Sequence, residues 1–353
     1  MNKIKAAMIG VGSISDLHIR AYLNNDNVEL TAFCDINEKR LREMGKKYGV
    51  TRLFTDVREL CRMEEIDAVS VCTWNSAHAE CAIAALDAGK HVLCEKPTAV
   101  NARQAIEMQK AAARNDRILM IGFVRRFGRD VEILKDFLDI GYFGELYYAK
   151  AVYLRRKGNP GGWFGDRSRS GGGPLIDLGV HVIDQVRYLA GLPNPVSVYG
   201  VTFQKLFDRK TVKGAAQYLA SETASHDICD VEDMVSAIIR FDNGLALSVE
   251  TSFSLNIKED IGSVELFGDK AGAKLDPQLE IFNEQNGYLT NVGFAAPTSI
   301  SVEKLFQREI DHFVDCIVKG IPCRAPAEDG VAIMKILDAV YESARTGHEV
   351  VIR

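Results

Sequence analysis

The chain has 353 residues, of which 47% are hydrophobic and 26% charged, the composition of an ordinary globular protein and not of a disordered chain or a fibre. Its 43 Lys and Arg against 48 Asp and Glu leave a net charge of -5, which gives no general attraction to a phosphate backbone or an anionic membrane and argues against nucleic-acid and membrane partners. The length exceeds what one hydrophobic core usually serves, so two domains are expected, and no apolar run reaches the roughly 18 residues of a transmembrane helix.

The opening MNKIKAAMIGVG carries early lysines and an apolar run, but glycines interrupt it and no small-residue cleavage site follows, so it is expected to be a first buried strand in a cytoplasmic protein. The eight cysteines never form CxxC and several sit in apolar runs such as AVSVC and HVLC, which points to buried free thiols.

From residue 3 to about 123, short β-branched runs alternate with helical stretches. IKAAMIG is a strand with a helix after it through His18 to Leu23, and VELTAFCD is a strand before a helix from Asn37. AVSVCT at 68–73 precedes a helix to Ala88, HVLCEKP precedes a helix from Asn101 to Arg114, and ILMIGF closes the set. Apolar strands alternating with amphipathic helices imply a parallel sheet covered on both faces, so residues 1–123 are expected to form a doubly wound α/β domain of Rossmann type.

Beyond it come a helix near Val131 to Leu138, a strand through GELYYAKAVYLRR, a Gly-rich loop and a helix from about Leu175 to Leu189. VSVYGVTF, MVSAIIRF, LALSVETSFSL and SVELFG then follow as strands, with DNG at 242–244 and GDKAG at 268–272 as turn signals, and helices at 303–319 and 328–345 finish the chain. Residues 124–353 are therefore expected to form an α+β domain around a large, mostly antiparallel open sheet that binds substrate and mediates oligomerisation.

Gly10-Val11-Gly12-Ser13-Ile14-Ser15 follows the first strand and opens the first helix, the context in which GxGxx(G/A) has meaning. Gly10 would make the tight turn, Gly12 would admit a pyrophosphate, and the helix start at Ser13 and Ile14 would supply amide donors and a favourable dipole. Ser15 stands at the third position, which would set helix and strand slightly farther apart. Asp35, 20 residues on at the end of VELTAFCD, is placed to accept hydrogen bonds from the adenosine ribose; the alternative is a cap on the helix at Asn37. A carboxylate there repels a 2'-phosphate, which favours NAD over NADP.

The second domain carries Gly171-Gly172-Gly173-Pro174-Leu175-Ile176-Asp177-Leu178-Gly179-Val180-His181-Val182-Ile183-Asp184, and the fifth strand of the first ends in Glu95-Lys96-Pro97. With the GxGxx start and Thr73-Trp74-Asn75-Ser76-Ala77-His78, these motifs make the chain resemble the Gfo/Idh/MocA oxidoreductases over nearly its whole length. The resemblance implies NAD as cofactor, a catalytic group of Lys96, Asp177 and His181, and no metal. It also places Glu95, Thr73, Asn75 and His78 in the cofactor region and allows a cis peptide before Pro97.

Asp177 and His181 stand four apart on the expected helix, so they share one face. Histidine titrates near neutral pH and suits removal of a hydroxyl proton, while Asp177 would orient the substrate or polarise the base. Lys96 would hold the reacting hydroxyl. Gly122-Phe123-Val124-Arg125-Arg126-Phe127 resembles a segment of inositol dehydrogenase-like members, so Arg125 touches cofactor or substrate, unless either arginine forms an interdomain salt bridge.

In the loop from Arg155 to Phe164, Trp163 offers a face for a sugar ring and Arg155 a hydrogen-bonding cation, or else this is a surface loop with one anchoring aromatic. His226-Asp227-Ile228-Cys229-Asp230 carries ligand-type residues, but no second cluster completes a tetrahedral set, and a polar loop is expected. The expected function is NAD-dependent oxidation of a ring hydroxyl on an inositol, hexose or glycoside, in a homodimer or homotetramer joined through the C-terminal sheet. Two alternatives stay open: a redox-neutral hydrolase or epimerase that retains NAD, and a non-enzymatic NAD- or sugar-binding regulator.

Overall fold

The structure is a computed structural model and describes residues 3–206 and 228–353. In chain order its first part is β1 (Ile4–Ile9), α1 (Ser15–Leu23), β2 (Val28–Cys34), α2 (Glu38–Tyr48), β3 (Arg52–Phe54), α3 (Val57–Cys61), β4 (Ala68–Val71), α4 (Asn75–Asp87), β5 (His91–Glu95), α5 (Ala102–Arg114) and β6 (Leu119–Gly122). There follow α6 (Arg129–Asp139), β7 (Leu146–Leu154), α7 (Arg167–Ser170), α8 (Val180–Leu189), β8 (Pro195–Phe203), β9 (Met234–Phe241), β10 (Ala246–Ser252) and β11 (Ile261–Gly268). The chain closes with β12 (Ala271–Leu275), β13 (Glu280–Gln285), β14 (Tyr288–Val292), α9 (Val302–Lys319), α10 (Ala327–Thr346) and β15 (Val350–Val351).

Two compact units result: Met1–Val124 with Ser301–Met334, and Arg125–Ile300 with Lys335–Arg353. Residues 301–334, which the sequence assigns to the second domain, thus pack with the first. The physical reason is the apolar face of α9: Phe306, Ile310 and Phe313 are buried, the Phe306 ring lies 5.4 Å from that of His18 on α1, and Gln307 donates to the Ala21 carbonyl at 3.1 Å.

In the first unit the strands form a six-stranded parallel sheet in the order β3-β2-β1-β4-β5-β6. Every residue of β4 is buried, as expected of a strand covered on both faces. Helix ends follow local chemistry: Asn37 and Asn101 each accept a backbone N–H of the first turn, and α2 stops at Gly49 with φ +71. The register places Ile9 beside Cys34 and Val71, and Val71 beside Cys94, so the residues immediately after them emerge along one sheet edge. Those residues are Gly10, Asp35, Cys72 with Thr73, and Glu95 with Lys96. The crevice at the carboxyl ends of such a sheet, where the strand order reverses at β1 and β4, is where dinucleotides bind.

The second unit holds a nine-stranded sheet in the order β14-β13-β12-β11-β7-β10-β9-β8-β15, in which β7 and β10 run parallel and the other neighbours antiparallel. Ala151, Val249, Ala237, Val264 and Leu275 align across the strands and are buried. The opposite face carries Tyr199, Ile238, Ser248, Lys150, Glu265, Lys274 and Glu280 in one row. DNG makes the β9–β10 turn, with Gly244 at φ +88. The eight cysteines are all free thiols, and among the described residues no helix is long and apolar enough to cross a membrane.

Candidate active site

The first unit builds a cradle from the residues just past its strand ends. Gly10 has φ +87, and a Cβ there would stand 2.6 Å from the Cys72 carbonyl oxygen, so both conformation and space demand glycine. At Gly12 an added Cβ meets no protein atom within 4 Å, so the open volume above it suits a molecule that is not part of the chain. Beyond it, Ser13 and Ile14 lead into α1, whose start carries no side-chain cap, the arrangement an anion can complete. Ser15 is fully buried and donates its hydroxyl to the Gly12 carbonyl at 2.7 Å, which ties the loop to the helix.

Asp35 does two jobs at once. Its Oδ2 accepts the Val11 amide at 2.8 Å and its Oδ1 the Asn37 amide at 2.8 Å, so it steadies both the glycine loop and the start of α2. A carboxylate offers about four acceptor sites, so two further hydrogen bonds remain possible, which fits a ribose diol. These features together fit the NAD that the sequence implies.

Beside this loop, Thr73 donates its hydroxyl to the Trp74 carbonyl at 3.2 Å, and Asn75 opens α4. His78 is buried; its Nδ1 donates to the Pro97 carbonyl at 2.8 Å and its Nε2 lies 3.2 Å from the Thr73 carbonyl. Burial pushes its imidazole below the usual range, against the pull of those carbonyls. His78 thereby clasps the loop after β4 to the loop after β5, which positions Lys96. The Lys96–Pro97 peptide is cis.

Glu95 turns inward. Its Oε1 accepts His18 Nε2 at 2.8 Å, its Oε2 accepts the Lys96 amide at 3.1 Å, and His18 reaches Ser70, which in turn meets Tyr22 at 2.8 Å. Glu309 from α9 completes the cluster, within 4.8 Å of His18 and Glu95 and fully buried, with neither oxygen hydrogen-bonded. Burial works to raise the Glu95 carboxyl, but the bond from His18 and the nearby positive charge hold it below the usual carboxylate range. Burial and the Glu95 charge drive Glu309 well above that range, so of the two carboxyls Glu309 holds the proton. A groove of about 770 Å³ opens at the amino-terminal edge of the same strands, lined by Lys3, Ile4, Lys90 and His91, and none of the expected site residues borders it.

In the second unit the glycine-rich motif resolves into parts with separate jobs. The expected helix from Leu175 begins as a π turn over Leu175–Gly179 before α8 continues. Such turns insert one residue into a helix and recur at functional sites. Between Gly172 and Arg187, Asp177 and His181 alone are not buried, so they share the one window of this segment. Gly173 could not carry a side chain, since its Cβ would stand 2.2 Å from the Glu232 carbonyl oxygen. Glu232 reaches over the helix start, where its Oε1 accepts the Gly173 amide at 3.0 Å and the Tyr341 hydroxyl at 2.8 Å. Burial raises its carboxyl above the ordinary value despite those donors.

Asp184, the last residue of the motif, binds the guanidinium of Arg126 through two hydrogen bonds, one of 3.0 Å from Nε; both side chains are buried. The Arg126–Asp184 pair is thus an anchor inside the second unit. Arg125 pairs with Asp276 at 3.6 Å and lies 5.0 Å over the Tyr153 ring, while Arg155 lies 5.4 Å over the same ring and donates to the Gly158 carbonyl at 3.0 Å. The two arginines thereby meet at Tyr153. Trp163 stacks on Phe164 at 4.0 Å, so one face of its indole is taken.

His226 and Asp227 lie outside the described residues; Asp230 accepts the Arg167 amide at 2.8 Å and Cys229 is half-buried. Of the catalytic candidates, Lys96 belongs to the first unit, and Asp177 and His181 to the second. Sequence reasoning missed His18, Glu232 and Glu309. A histidine in the first helix and two isolated glutamates carry no local signal, because their partners lie 52 positions away or farther.

Comparison with known proteins bears on the whole chain. Residues 4–123 match an oxidoreductase family model described as an NAD-binding Rossmann fold, and residues 135–352 match that family's C-terminal alpha/beta domain. A D-glucoside 3-dehydrogenase of Escherichia coli (strain K12) is 37% identical over 98% of this chain and 97% of its own. An inositol 2-dehydrogenase of Salmonella paratyphi B is 35% identical over 99% and 96%. The solved structure of a levoglucosan dehydrogenase in complex with NADH superposes with a TM-score of 0.86 at 25% identity, covering all of both chains.

Proposed function

Since the chain belongs to the Gfo/Idh/MocA oxidoreductase family and is an NAD-binding dehydrogenase of the sugar and polyol type, we propose that it oxidises one ring hydroxyl of an inositol, hexose or glycoside. The observation that carries this reading is the segment from Gly172 to Arg187, where Asp177 and His181 alone escape burial, in a chain whose full-length relatives are named for such substrates.

The roles follow from chemistry. Lys96 donates a hydrogen bond to the reacting hydroxyl and favours its oxygen as the proton leaves. His181 takes that proton, and Asp177 orients hydroxyl and imidazole. Arg155 and the open face of Trp163 hold the rest of the sugar, and Arg125 holds sugar or cofactor. Gly10, Gly12, Ser13, Ile14, Asp35, Thr73 and Asn75 seat the cofactor, with Glu95 and His78 fixing the loops around it. NAD, when bound, supplies the hydride acceptor. The test is a panel of inositols, hexoses and glycosides followed by NADH absorbance; no stoichiometric NADH with any of them sinks the reading.

Asp35 sets the preference for NAD over NADP in this proposal. Asp35→Asn keeps an oxygen for the Val11 amide but removes the charge, so NAD should bind about 1 to 1.5 kcal/mol, roughly five- to tenfold, more weakly. NADP should lose less or gain. Fluorescence titration of both cofactors checks this, and an unchanged ratio of affinities counts against the assignment.

The outer face of the nine-stranded sheet is read as the oligomer interface. Tyr199 and Ile238 are about half exposed, Tyr148 stacks on Phe267 at 5.6 Å beside the exposed Phe282, and Lys150, Glu265, Lys274 and Glu280 alternate in sign along one row. A second copy turned about a two-fold axis would meet apolar surface with apolar surface and Lys with Glu. Light scattering at micromolar concentration should give a multiple of 39.0 kDa, and only that mass itself would show the face uncovered.

A further inference from the structure

Away from the residues assigned above, three soft ligands converge at the end of α9. His312 and Cys316 lie one turn apart on the helix, α9 stops at Gly320 with φ +65, and the returning chain brings Cys323 back toward them. His312 Nε2 is 3.4 Å from Cys316 Sγ, and the imidazole nitrogen and both sulfurs lie within 4.8 Å of one another. We infer that His312, Cys316 and Cys323 form a binding site for a zinc-class divalent ion, a clip that fixes the end of α9 to the loop before α10.

Three observations carry this. The first is distance: a tetrahedral ion about 2.0 Å from nitrogen and 2.3 Å from sulfur needs an N to S separation of about 3.5 Å, so His312 and Cys316 require almost no movement. The second is protonation, because the Arg324 amide donates to His312 Nε2 at 2.9 Å, so that nitrogen carries no proton and its one lone pair becomes available to an ion once the amide is displaced. The third is the platform. The Ala325 amide donates to the Cys323 sulfur, the Ala325 carbonyl accepts the Ile121 amide at 2.8 Å, and Met120 bridges Pro326, so the loop is pinned to β6.

Cys316 is buried and the other two are half-buried, which gives an ion a path in while keeping most water out. Two thiolates balance a divalent charge, and one nitrogen with two sulfurs selects a zinc-class ion over magnesium or calcium. The fourth position is left to water. The spacing H-x3-C-x6-C contains no CxxC, so it lacks the usual sequence signal, and the site takes no part in the chemistry proposed for Lys96, Asp177 and His181.

The test uses the full chain, reduced and stripped with a chelator, then titrated with cobalt(II). One cobalt per chain should bind with thiolate charge-transfer absorption and tetrahedral ligand-field bands, and zinc should displace it. Cys316→Ser and Cys323→Ser should each weaken binding by about 100-fold or more, beyond what loss of an outer partner costs, while Cys229→Ser should leave it unchanged. In the unmutated chain, stoichiometric zinc should shield Cys316 and Cys323 from alkylation as mapped by mass spectrometry, a readout that survives if a variant misfolds. Absence of the charge-transfer band, equal bands in the serine variants, undiminished alkylation with zinc, or a Cys316–Cys323 disulfide that forms in air in the presence of zinc would each overturn the inference.

Discussion

Replacing His181 with alanine is expected to cut turnover by roughly 100- to 10,000-fold, the usual worth of a general base, with NAD affinity and folding largely retained. The reason is local: in the segment from Gly172 to Arg187, His181 and Asp177 alone are not buried, so truncation there acts at a half-exposed position and removes the proposed chemistry more than core packing. The sign of the pH dependence follows from the proton's direction. Only neutral imidazole accepts a proton, so turnover of the wild type should rise with pH through the imidazole titration and level off above it. Turnover against pH at saturating NAD, for wild type and His181→Ala, is the measurement. A variant that keeps both the rate and the rising limb would show that another group takes the proton. Lys96→Ala should likewise lose most turnover, because it removes the donor proposed for the reacting oxygen.

Asp184→Ala is expected to destabilise the protein by about 3 to 5 kcal/mol, since it leaves the Arg126 guanidinium charged and buried without its carboxylate. Arg126 and Asp184 belong to two motifs far apart in the chain, and their bond holds α8, hence His181, in place. Replacing both residues by leucine-sized apolar side chains should recover much of the loss, because a buried pair is worth little against a hydrophobic substitute of the same volume. Urea denaturation of the single and double variants decides. If the double variant is as unstable as the single one, the pair does more than neutralise itself.

The fold was legible where the information is local. Strands β1, β2, β4, β5 and β6 are short apolar runs, and the first four each carry a candidate residue one or two positions past their end, so finding the strand also pointed to Gly10, Asp35, Thr73 and Lys96. Strand β3, with 3 residues, and α3, with 5, are too short to display a period, and neither was anticipated. The π turn under Asp177 escaped notice because five residues cannot distinguish its pitch from an ordinary helix. The parallel pairing of β7 with β10 is likewise invisible, since alternation shows which face is buried but not which strand lies alongside. In the site, Gly173 was readable as part of a motif, but its reason, the Glu232 backbone against its Cα, exists only once distant chain has folded over it.

The passage of α9 into the first unit bears on how the gene can be cut. A fragment ending at residue 123 would contain every residue proposed to seat NAD except Arg125, and would look like a self-sufficient nucleotide-binding module. It would nevertheless leave bare the side of α1 on which Phe306 and Gln307 rest, and would lose the Ala325 carbonyl that pairs with the edge of β6. An exposed helix face next to an open strand edge is a recipe for self-association. Shuffling or recombination that respects the linear boundary would therefore yield insoluble halves, whereas one that carries 301–334 along with the first 124 residues moves an intact core.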